Sequence, residues 1–212
     1  GQFVNIALEG LYLRRPISVC DCDARTLTLI YKVVGGGTEQ MSRMAAGAEL
    51  DLLTGLGNGF DTSNDARRPL LVGGGVGVPP LYKLAKALLA EGKPVSVVLG
   101  FNTADEVFYA DEFRALGCDV HVATADGSAG TKGFVTTAIA GDGIDFDYFY
   151  ACGPLPMLRA LCDSVAQDGQ LSFEERMGCG FGACMGCSCK TKYGNKRICK
   201  EGPVLTKGEI IW

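Results

Sequence analysis

Apolar and polar residues alternate in short stretches over the first third of the chain. Phe3–Leu8, Pro16–Val19 and Thr26–Val33 each have the period of two that is typical of a β-strand. Glycine-rich segments separate these stretches, and Met41–Ala46 predicts a short helix. Short strands with frequent turns are typical of a small antiparallel barrel. We therefore predict an antiparallel β-barrel over residues 1–66.

The pattern changes after Arg67-Arg68-Pro69, where continuous apolar runs begin to alternate with segments of helical period. The apolar runs lie at residues 70–72, 95–99, 120–122 and 146–151, and the helical segments at 79–90, 105–116, 134–140 and 154–167. Strands that alternate with helices in this way form a parallel sheet. We predict an α/β doubly wound parallel sheet over residues 67–171.

A third pattern begins at about residue 172, where cysteine and glycine become frequent. Cys179, Cys184 and Cys187 have C-x4-C-x2-C spacing, and Cys199 follows twelve residues later. This is the plant-type [2Fe–2S] spacing with a distant fourth thiolate. The glycines between them allow positive φ angles and let main-chain N–H groups turn toward anionic sulfides. The pattern predicts a small C-terminal [2Fe–2S] domain over residues 172–212, with these four cysteines as ligands.

Two other interpretations of the cysteines are weaker. A zinc knuckle usually pairs two short C-x2-C clips, whereas here the first gap is four residues and the last cysteine is solitary. A disulfide framework suits a small secreted domain, but this chain has 212 residues. Cys189 could replace Cys187 as a ligand, although a thiol beneath the loop is the simpler interpretation of its position.

The composition limits the classes of partner. Hydrophobic residues make up 47% of the chain and charged residues 21%, as in an ordinary globular protein. The net charge of −4 and the lack of Lys/Arg clusters give no reason to expect nucleic acid, and no apolar run is long enough for a membrane. Ten cysteines predict a reducing compartment, by default the cytoplasm. The single histidine, His121, lies in an alternating stretch, which predicts a structural role.

A glycine run lies directly between the first strand and the first helix of the predicted parallel sheet. Glycines let the main chain approach a pyrophosphate, and the N–H groups at a helix start attract negative charge. A tight turn alone could explain the run, but its position favours nucleotide binding by Gly73, Gly74, Gly75 and Gly77. No arginine follows the second strand at residues 100–103 to meet a ribose 2′-phosphate, so NAD is favoured over NADP.

Cys152-Gly153-Pro154 ends the fourth predicted strand and precedes a helix. Ligands bind at the carboxyl ends of parallel strands, so this turn should share an edge of the sheet with the glycine run. We predict that Gly153 and Pro154 bind the nucleotide and that Cys152 is a catalytic residue that touches the nicotinamide. The alternative, a small buried hydrophobe at a strand end, fits the spacing equally well.

The predicted barrel contains two adjacent arginines directly before a strand, in the segment Arg14-Arg15-Pro16-Ile17-Ser18. A guanidinium group matches the geometry of phosphate oxygens, so two arginines before a strand could bind a pyrophosphate. Two surface arginines are the commoner explanation, and the segment alone does not decide between them.

Taken in order, the motifs resemble one family. Arg-Arg-Pro-Ile-Ser, Leu-x-Tyr, Leu-Gly-Asn-Gly-Phe, Gly-Gly-Gly-Val-Gly-Val-Pro-Pro-Leu, Cys-Gly-Pro and Arg-Met-x-Cys-Gly-x-Gly-Ala-Cys are similar to the electron-transfer subunits of class 1B dihydroorotate dehydrogenases, a branch of the ferredoxin–NADP reductase superfamily. The resemblance covers nearly the whole chain and implies FAD, NAD and a [2Fe–2S] cluster as cofactors. It implies that FAD is held by Arg14, Pro16, Ile17, Ser18, Leu29, Tyr31, Gly37 and Thr38, and the cluster by Cys179, Cys184, Cys187 and Cys199.

The resemblance also implies a partner and a reaction. The partner would be an FMN-containing dihydroorotate dehydrogenase catalytic subunit, with electrons passing between it and NAD through the cluster and FAD. Two departures stand out: the family has strands ahead of Gly1-Gln2-Phe3, and Thr54-Gly55 replaces its Gly-Pro. The barrel would then lack its opening strands.

Two alternative functions remain at this point. One is the small subunit of a related sulfide dehydrogenase or ferredoxin:NADP oxidoreductase. The other is a redox-sensing cluster protein that turns nothing over.

Overall fold

The first sheet is antiparallel and has four strands. The computed structural model describes residues 1–212. The strands are β1 (Phe3–Ile6), β2 (Arg15–Cys22), β3 (Leu27–Leu29) and β4 (Leu52–Leu56), in the order β3-β2-β1-β4. Helix α1 (Gly36–Ser42) lies between β3 and β4 in the chain. One face of the sheet packs on Met41 of α1 through Val4, Ile6 and Leu8.

This sheet is open, so the antiparallel barrel predicted over residues 1–66 is not confirmed. β3 and β4 are the two edges and do not pair with each other. β3 is only three residues long, much shorter than the predicted strand over residues 26–33.

Helix α1 begins earlier than the hydrophobic pattern predicts. The Thr38 Oγ1 accepts hydrogen bonds from the N–H groups of Val34 at 2.9 Å and Gly35 at 3.2 Å. A hydroxyl that satisfies main-chain donors in the first turn stabilises a helix start. The capping interaction therefore places Gly37 and Thr38 at the N-terminus of α1.

The second sheet contains the parallel strands predicted from the apolar runs. Its strands are β5 (Pro69–Gly74), β6 (Ser96–Phe101), β7 (Asp119–Thr124), β8 (Thr131–Lys132), β9 (Tyr148–Cys152) and β10 (Gly169–Ser172). They are ordered β10-β9-β5-β6-β7-β8, and all neighbouring pairs are parallel. The apolar pattern does not predict β8 or β10, because strands of two and four residues are too short to show a clear periodicity.

Helices cover both faces of this sheet. Alternate residues of a strand point to opposite faces. Leu71 packs with helices α2 (Pro79–Ala90) and α3 (Ala110–Leu116), whereas Leu70 packs with α4 (Val135–Gly141) and α5 (Leu155–Ser164). α2 has the bounds that the sequence predicts. The predicted helix over 105–116 is instead a 3₁₀ turn at residues 104–106 followed by α3, with Tyr109 at φ 65° between them.

The C-terminal segment pairs with the second sheet and hydrogen-bonds to the residues that follow β4. It forms a hairpin of β11 (Ser188–Thr191) and β12 (Gly194–Arg197), then β13 (Val204–Thr206), which pairs antiparallel with β10. The second sheet therefore crosses the predicted limit at residues 171 and 172, and the predicted division into three domains stays a prediction. Asn58 Nδ2 donates to the carbonyl oxygens of Lys200 and Glu201, both at 3.1 Å. None of the helices combines the length and apolar character required of a membrane span.

Candidate functional site

The order of the second sheet creates one crevice at its centre. β5 and β9 are neighbours, but the chain continues from β5 toward β6 on one side and from β9 toward β10 on the other. In open α/β sheets, ligands bind outside the carboxyl ends of the strands where the order reverses in this way. Gly73 pairs with Cys152 at this point. The glycine run and the Cys152-Gly153-Pro154 turn thus lie side by side, as predicted.

One glycine, Gly77, is required by the packing of these turns, and Gly74 lies close to a side chain. A Cβ on Gly77 would lie 2.2 Å from the carbonyl oxygen of Cys152. A Cβ on Gly74 would lie 2.5 Å from the sulfur of Met157 in α5. Gly75, at φ 52°, has nothing within 4 Å of its Cβ position. Gly75 is therefore the position of the run where the main chain is open to a ligand.

The start of α2 offers fewer free N–H donors than a strand–glycine–helix pattern predicts. Pro79 and Pro80 carry no N–H. The N–H groups of Val78 and Leu81 are used within the turn, on Gly75 and Val78 carbonyls, both at 3.1 Å. The N–H groups of residues 75–77, rather than those of the helix, are what this turn can present to an anion.

The Cys152 thiol is half-buried at the end of β9. Burial raises its pKa, although a hydrogen bond with Ser172 acts in the opposite sense. The group is therefore a neutral thiol near neutral pH. It can contact a nicotinamide as a small neutral side chain, and it does not have the thiolate character of a nucleophile.

A carboxylate lies at the end of β6 that the sequence reasoning missed. The Glu106 Oε2 accepts hydrogen bonds from the main-chain N–H and Nδ2 of Asn102, at 3.1 and 2.8 Å, and Lys32 pairs with its Oε1 at 3.4 Å. These hydrogen bonds from Asn102 lower the pKa of Glu106. A carboxylate at the end of the second strand is the usual partner of a ribose 2′-hydroxyl. Glu106 lies five residues beyond the end of β6, outside the segment 100–103 in which the sequence pattern predicts the ribose contact.

In the antiparallel sheet, the two adjacent arginines have different surroundings. Arg14 forms two hydrogen bonds with the carboxylate of Asp51, at 3.0 and 2.9 Å, so its charge is already paired. Arg15 forms no ion pair and bonds only to the carbonyl of Leu13. A Cβ on Gly37 would lie 2.2 Å from the Arg15 Nε, so the guanidinium group crosses the start of α1 directly over that glycine. Of the two arginines considered for a pyrophosphate, Arg15 is therefore the free cation beside Gly37, although the resemblance implies only Arg14.

The other predicted FAD residues are distributed over both faces of this sheet. Pro16, Ile17 and Ser18 lie on β2, with Ile17 opposite Val4 and Ser18 opposite Phe3. Leu29 and Tyr31 pack beside Ile17 against the small core under the sheet. Their role in FAD binding stays a prediction.

The four predicted cluster ligands form two pairs. The Cys179 Sγ accepts N–H groups from Ala183 at 3.2 Å and Cys184 at 3.4 Å, and the Cys184 Sγ accepts the Cys179 N–H at 3.4 Å. The Cys187 Sγ accepts the Cys199 N–H at 3.4 Å. The first pair lies on the loop surface, whereas Cys187 and Cys199 are 3% and 2% exposed.

The two pairs also differ in the ionisation of their thiols. Partial burial opposes ionisation of Cys179, but it is outweighed by the N–H groups of Cys184, Phe181 and Ala183 and by the Cys184 thiol, and the pKa of Cys179 falls to about 6. Burial, with the neighbouring Cys187 thiol, raises the pKa of Cys199 to about 12. Main-chain N–H groups directed at sulfur stabilise thiolate and, in iron–sulfur proteins, the sulfurs of a cluster.

The pairing matches the ligand count of a [2Fe–2S] cluster. The four thiols stand as two pairs of two. A mononuclear zinc site needs three or four such ligands around one ion, whereas each iron of a Cys₄ [2Fe–2S] cluster takes two thiolates. Cys189 packs partly buried against the large core beside Cys187. Its place agrees with the interpretation of Cys189 as a thiol beneath the loop.

Arg197 ties the two halves of this segment together. Its NH1 donates to the carbonyl of Gly182 at 2.6 Å, and its Nε donates to Glu201 at 2.9 Å. The Glu201 Oε2 also accepts the Arg197 main-chain N–H at 2.7 Å. Gly182 belongs to the exposed loop and Glu201 follows Cys199, so this arginine fixes the spacing between the two cysteine pairs.

Comparison with known proteins gives two family matches. Residues 174–211 match the iron–sulfur cluster binding domain of dihydroorotate dehydrogenase B, and residues 71–163 match the oxidoreductase NAD-binding domain. The chain is 49% identical to the dihydroorotate dehydrogenase B (NAD(+)) electron transfer subunit of a Geobacillus strain, over 100% of this chain and 86% of that protein. The corresponding subunit of Fusobacterium nucleatum is 47% identical over 99% of this chain and 86% of that protein.

Solved structures give the same fold. A structure of the NADH-dependent reduced ferredoxin-NADP oxidoreductase superimposes with a TM-score of 0.90 and 33% identity, over 100% of this chain and 79% of that one. An Amycolatopsis cytochrome P450 reductase, at 23% identity and a TM-score of 0.65, covers 77% of this chain and 55% of that one. At that identity the likeness concerns the fold alone.

Proposed function

Because the chain belongs to the family of dihydroorotate dehydrogenase B (NAD(+)) electron-transfer subunits, we propose that it passes electrons between NAD(H) and a catalytic subunit through FAD and a [2Fe–2S] cluster. The catalytic subunit would contain FMN and oxidise dihydroorotate to orotate in pyrimidine biosynthesis. In that direction electrons enter from the partner and leave as NADH.

The observation that carries this proposal is the paired arrangement of the cysteines. Cys179 with Cys184, and Cys187 with Cys199, supply two thiolates for each of two irons. The loop N–H groups directed at Cys179 stabilise its negative charge before any metal arrives. These four residues would hold the cluster, and Arg197 would keep the pairs in register.

In the proposed reaction, the role of this chain is to hold the nicotinamide and the flavin in position. When bound, a flavin exchanges electrons with a nicotinamide two at a time and with an iron–sulfur cluster one at a time. Residues 75–77 present N–H groups to the nucleotide, and Cys152 closes the crevice with a neutral thiol. Arg15 and the start of α1 suit the FAD pyrophosphate, because a free guanidinium lies there over Gly37. The single imidazole, His121, bonds to Asp119 and Asp142, so proton transfer from dihydroorotate is left to the partner.

The nicotinamide cofactor would be NAD rather than NADP. Glu106 carries its charge at the end of β6 and Asp126 lies after β7. Carboxylates at these strand ends suit a ribose hydroxyl and repel a 2′-phosphate.

The partner would dock where the exposed cysteine pair lies. Phe181 and Met185, on the same loop, are 53% and 55% exposed. Aromatic and methionine side chains are enriched at the centres of protein interfaces. The cytoplasm, where thiols stay reduced, is the compartment that this assembly needs.

A second candidate is the small subunit of a ferredoxin-NADP oxidoreductase. The TM-score of 0.90 to such a structure supports it. The identity of 46–49% to the dihydroorotate dehydrogenase B subunits, against 33% to that structure, favours the first proposal. Electron exchange with dihydroorotate in the presence of the catalytic subunit would separate the two.

An anaerobic NADH titration of the protein carrying FAD and cluster tests the proposal. We expect the flavin absorbance to bleach and an EPR signal of a reduced [2Fe–2S] cluster to appear. NADPH should act much more weakly. If neither cofactor responds although both are present, the electron-transfer proposal is wrong and a redox-sensing role takes its place.

A further inference from the structure

One polar side chain is buried between the antiparallel sheet and the cysteine loop. Asn5 is 1% exposed, and its neighbours Val4 and Ile6 in β1 are apolar. Its Nδ2 donates a hydrogen bond to the carbonyl oxygen of Cys179 at 3.3 Å. No other side chain of the four strands of that sheet hydrogen-bonds to the loop. Asn5 is therefore the specific link from this sheet to the first predicted cluster ligand.

The packing leaves one orientation for this amide. A Cβ on Gly180 would lie 2.4 Å from the Asn5 Nδ2, so the loop fits closely over the side chain. The facing atom of Cys179 is a carbonyl oxygen, which accepts only, so the NH₂ group must point toward it. The Asn5 Oδ1 is then directed away, into a buried position where it accepts no hydrogen bond.

Stability alone does not explain an asparagine here. A buried acceptor without a partner is unfavourable, and an apolar side chain of similar size would avoid that cost. The other three residues of β1, Phe3, Val4 and Ile6, are apolar and buried. What the amide supplies, and a leucine could not, is the hydrogen bond to Cys179.

Asn5 also lies beside the predicted flavin strand. It is directly opposite Pro16 of β2 in the antiparallel register. Directly opposite residues in such a pair have side chains on the same face of the sheet. One side chain thus touches the loop of a predicted cluster ligand and neighbours a predicted FAD residue.

We propose that Asn5 is a positioning residue for electron transfer, whose carboxamide fixes the Cys179 turn of the cluster loop against the flavin-binding sheet. The inference rests on the proposed function, because it concerns the distance and alignment between its two redox cofactors. Asn5 acts through the Cys179 main chain and touches neither reacting group.

The test compares Asn5→Leu with Val4→Ala, both in the protein carrying FAD and cluster. Val4 is the buried neighbour on the opposite face of β1, so its variant weakens the same strand without touching the loop. Stopped-flow mixing with NADH under anaerobic conditions would follow flavin bleaching and then cluster reduction, and EPR would give the g-values of the reduced cluster. NADH supplies all the electrons, so flavin bleaching in the wild type checks the proposed function independently.

For Asn5→Leu we expect altered g-values and flavin-to-cluster transfer slower by on the order of tenfold, with flavin bleaching by NADH unchanged. Val4→Ala should keep the wild-type g-values and transfer rate.

Equal effects in both variants, or wild-type behaviour of Asn5→Leu, would overturn the proposal. If Asn5→Leu does not incorporate cofactors, Asn5→Ser removes the same hydrogen bond with a smaller side chain. Loss of the cluster alone with FAD retained would support the proposal, and loss of both cofactors would count against it.

Discussion

The two cysteine pairs of this protein occupy opposite environments within one short segment. Cys179 and Cys184 lie on a surface loop whose N–H groups point at sulfur, and the pKa of Cys179 falls to about 6. Cys187 and Cys199 lie in the large core, and burial raises the pKa of Cys199 to about 12. The first pair is prepared for negative charge by main-chain dipoles, whereas the second is held in place by packing.

This difference suggests a division of roles. The buried pair belongs to the same core as β9 and β10, so the fold of the second sheet fixes its position. The exposed pair depends on glycines and on contacts from Asn5 and Arg197 for its shape. Cluster retention should therefore depend on both, but only the exposed side remains open to a partner.

The largest effect should come from replacing a buried cysteine that is predicted to bind the cluster. Cys187→Ser replaces a thiolate with a hydroxyl, a poor ligand for iron, and should abolish the cluster while NADH still reduces FAD. Visible spectra and EPR of the purified variant would show it. Cys189→Ser is the matched control and should keep the cluster, because Cys189 packs beneath the loop. A normal cluster signal in Cys187→Ser would make Cys189 the ligand instead.

In the cluster-free protein, Cys179 of the exposed pair should be alkylated much faster than Cys199 of the buried pair. The thiolate is the form of cysteine that reacts. Because the pKa of Cys179 is lowered to about 6, this thiol should react at pH values above about 6. Because the pKa of Cys199 is raised to about 12, this thiol should stay protonated up to about pH 12. We expect the iodoacetamide rate at Cys179 to rise through about pH 6 and level off by about pH 8, with Cys199 unlabelled.

Mass spectrometry of peptides after timed labelling would measure both rates, and labelling in denaturant would give the reference in which the two thiols react alike. A Cys179 rate that keeps rising to about pH 9 would contradict the role of the loop N–H groups.

A smaller effect should follow from adding one methyl group to the exposed loop. Gly180 has φ 78°, and a Cβ there would lie 2.4 Å from the Asn5 Nδ2. Gly180→Ala should lower the free energy of unfolding by about 1–2 kcal/mol from the left-handed conformation alone, and reduce cluster content.

Urea unfolding and iron analysis of Gly180→Ala would measure the two losses. Gly208→Ala is the control, because nothing lies within 4 Å of its Cβ position and its φ is not left-handed, so this variant should behave like the wild type. Equal losses in both variants would mean that the close fit over Asn5 has no special importance.

Local sequence patterns determined the secondary structure of the second sheet and the position of the glycine turn. The strand–glycine–helix order placed the nucleotide crevice, and helix α2 has its predicted bounds because Pro79 and the apolar period mark it clearly. The position of the iron–sulfur domain could be predicted from cysteine spacing, since a cluster loop imposes its spacing on the sequence, whereas the choice of the four ligands stays a prediction. Resemblance to the family then supplied the FAD segment, and the comparisons confirmed the family.

Other features were decided by residues far apart in the chain. Arg15 rather than Arg14 is the free cation because Asp51, more than thirty residues away, pairs with Arg14. The antiparallel sheet is open because β3 and β4 do not meet, and β13 crosses the predicted domain limit to join β10. The link from Asn5 to Cys179 spans 174 positions of sequence. Periodicity and spacing report local backbone geometry, whereas pairing, burial and charge compensation depend on which distant residues the completed fold brings into contact.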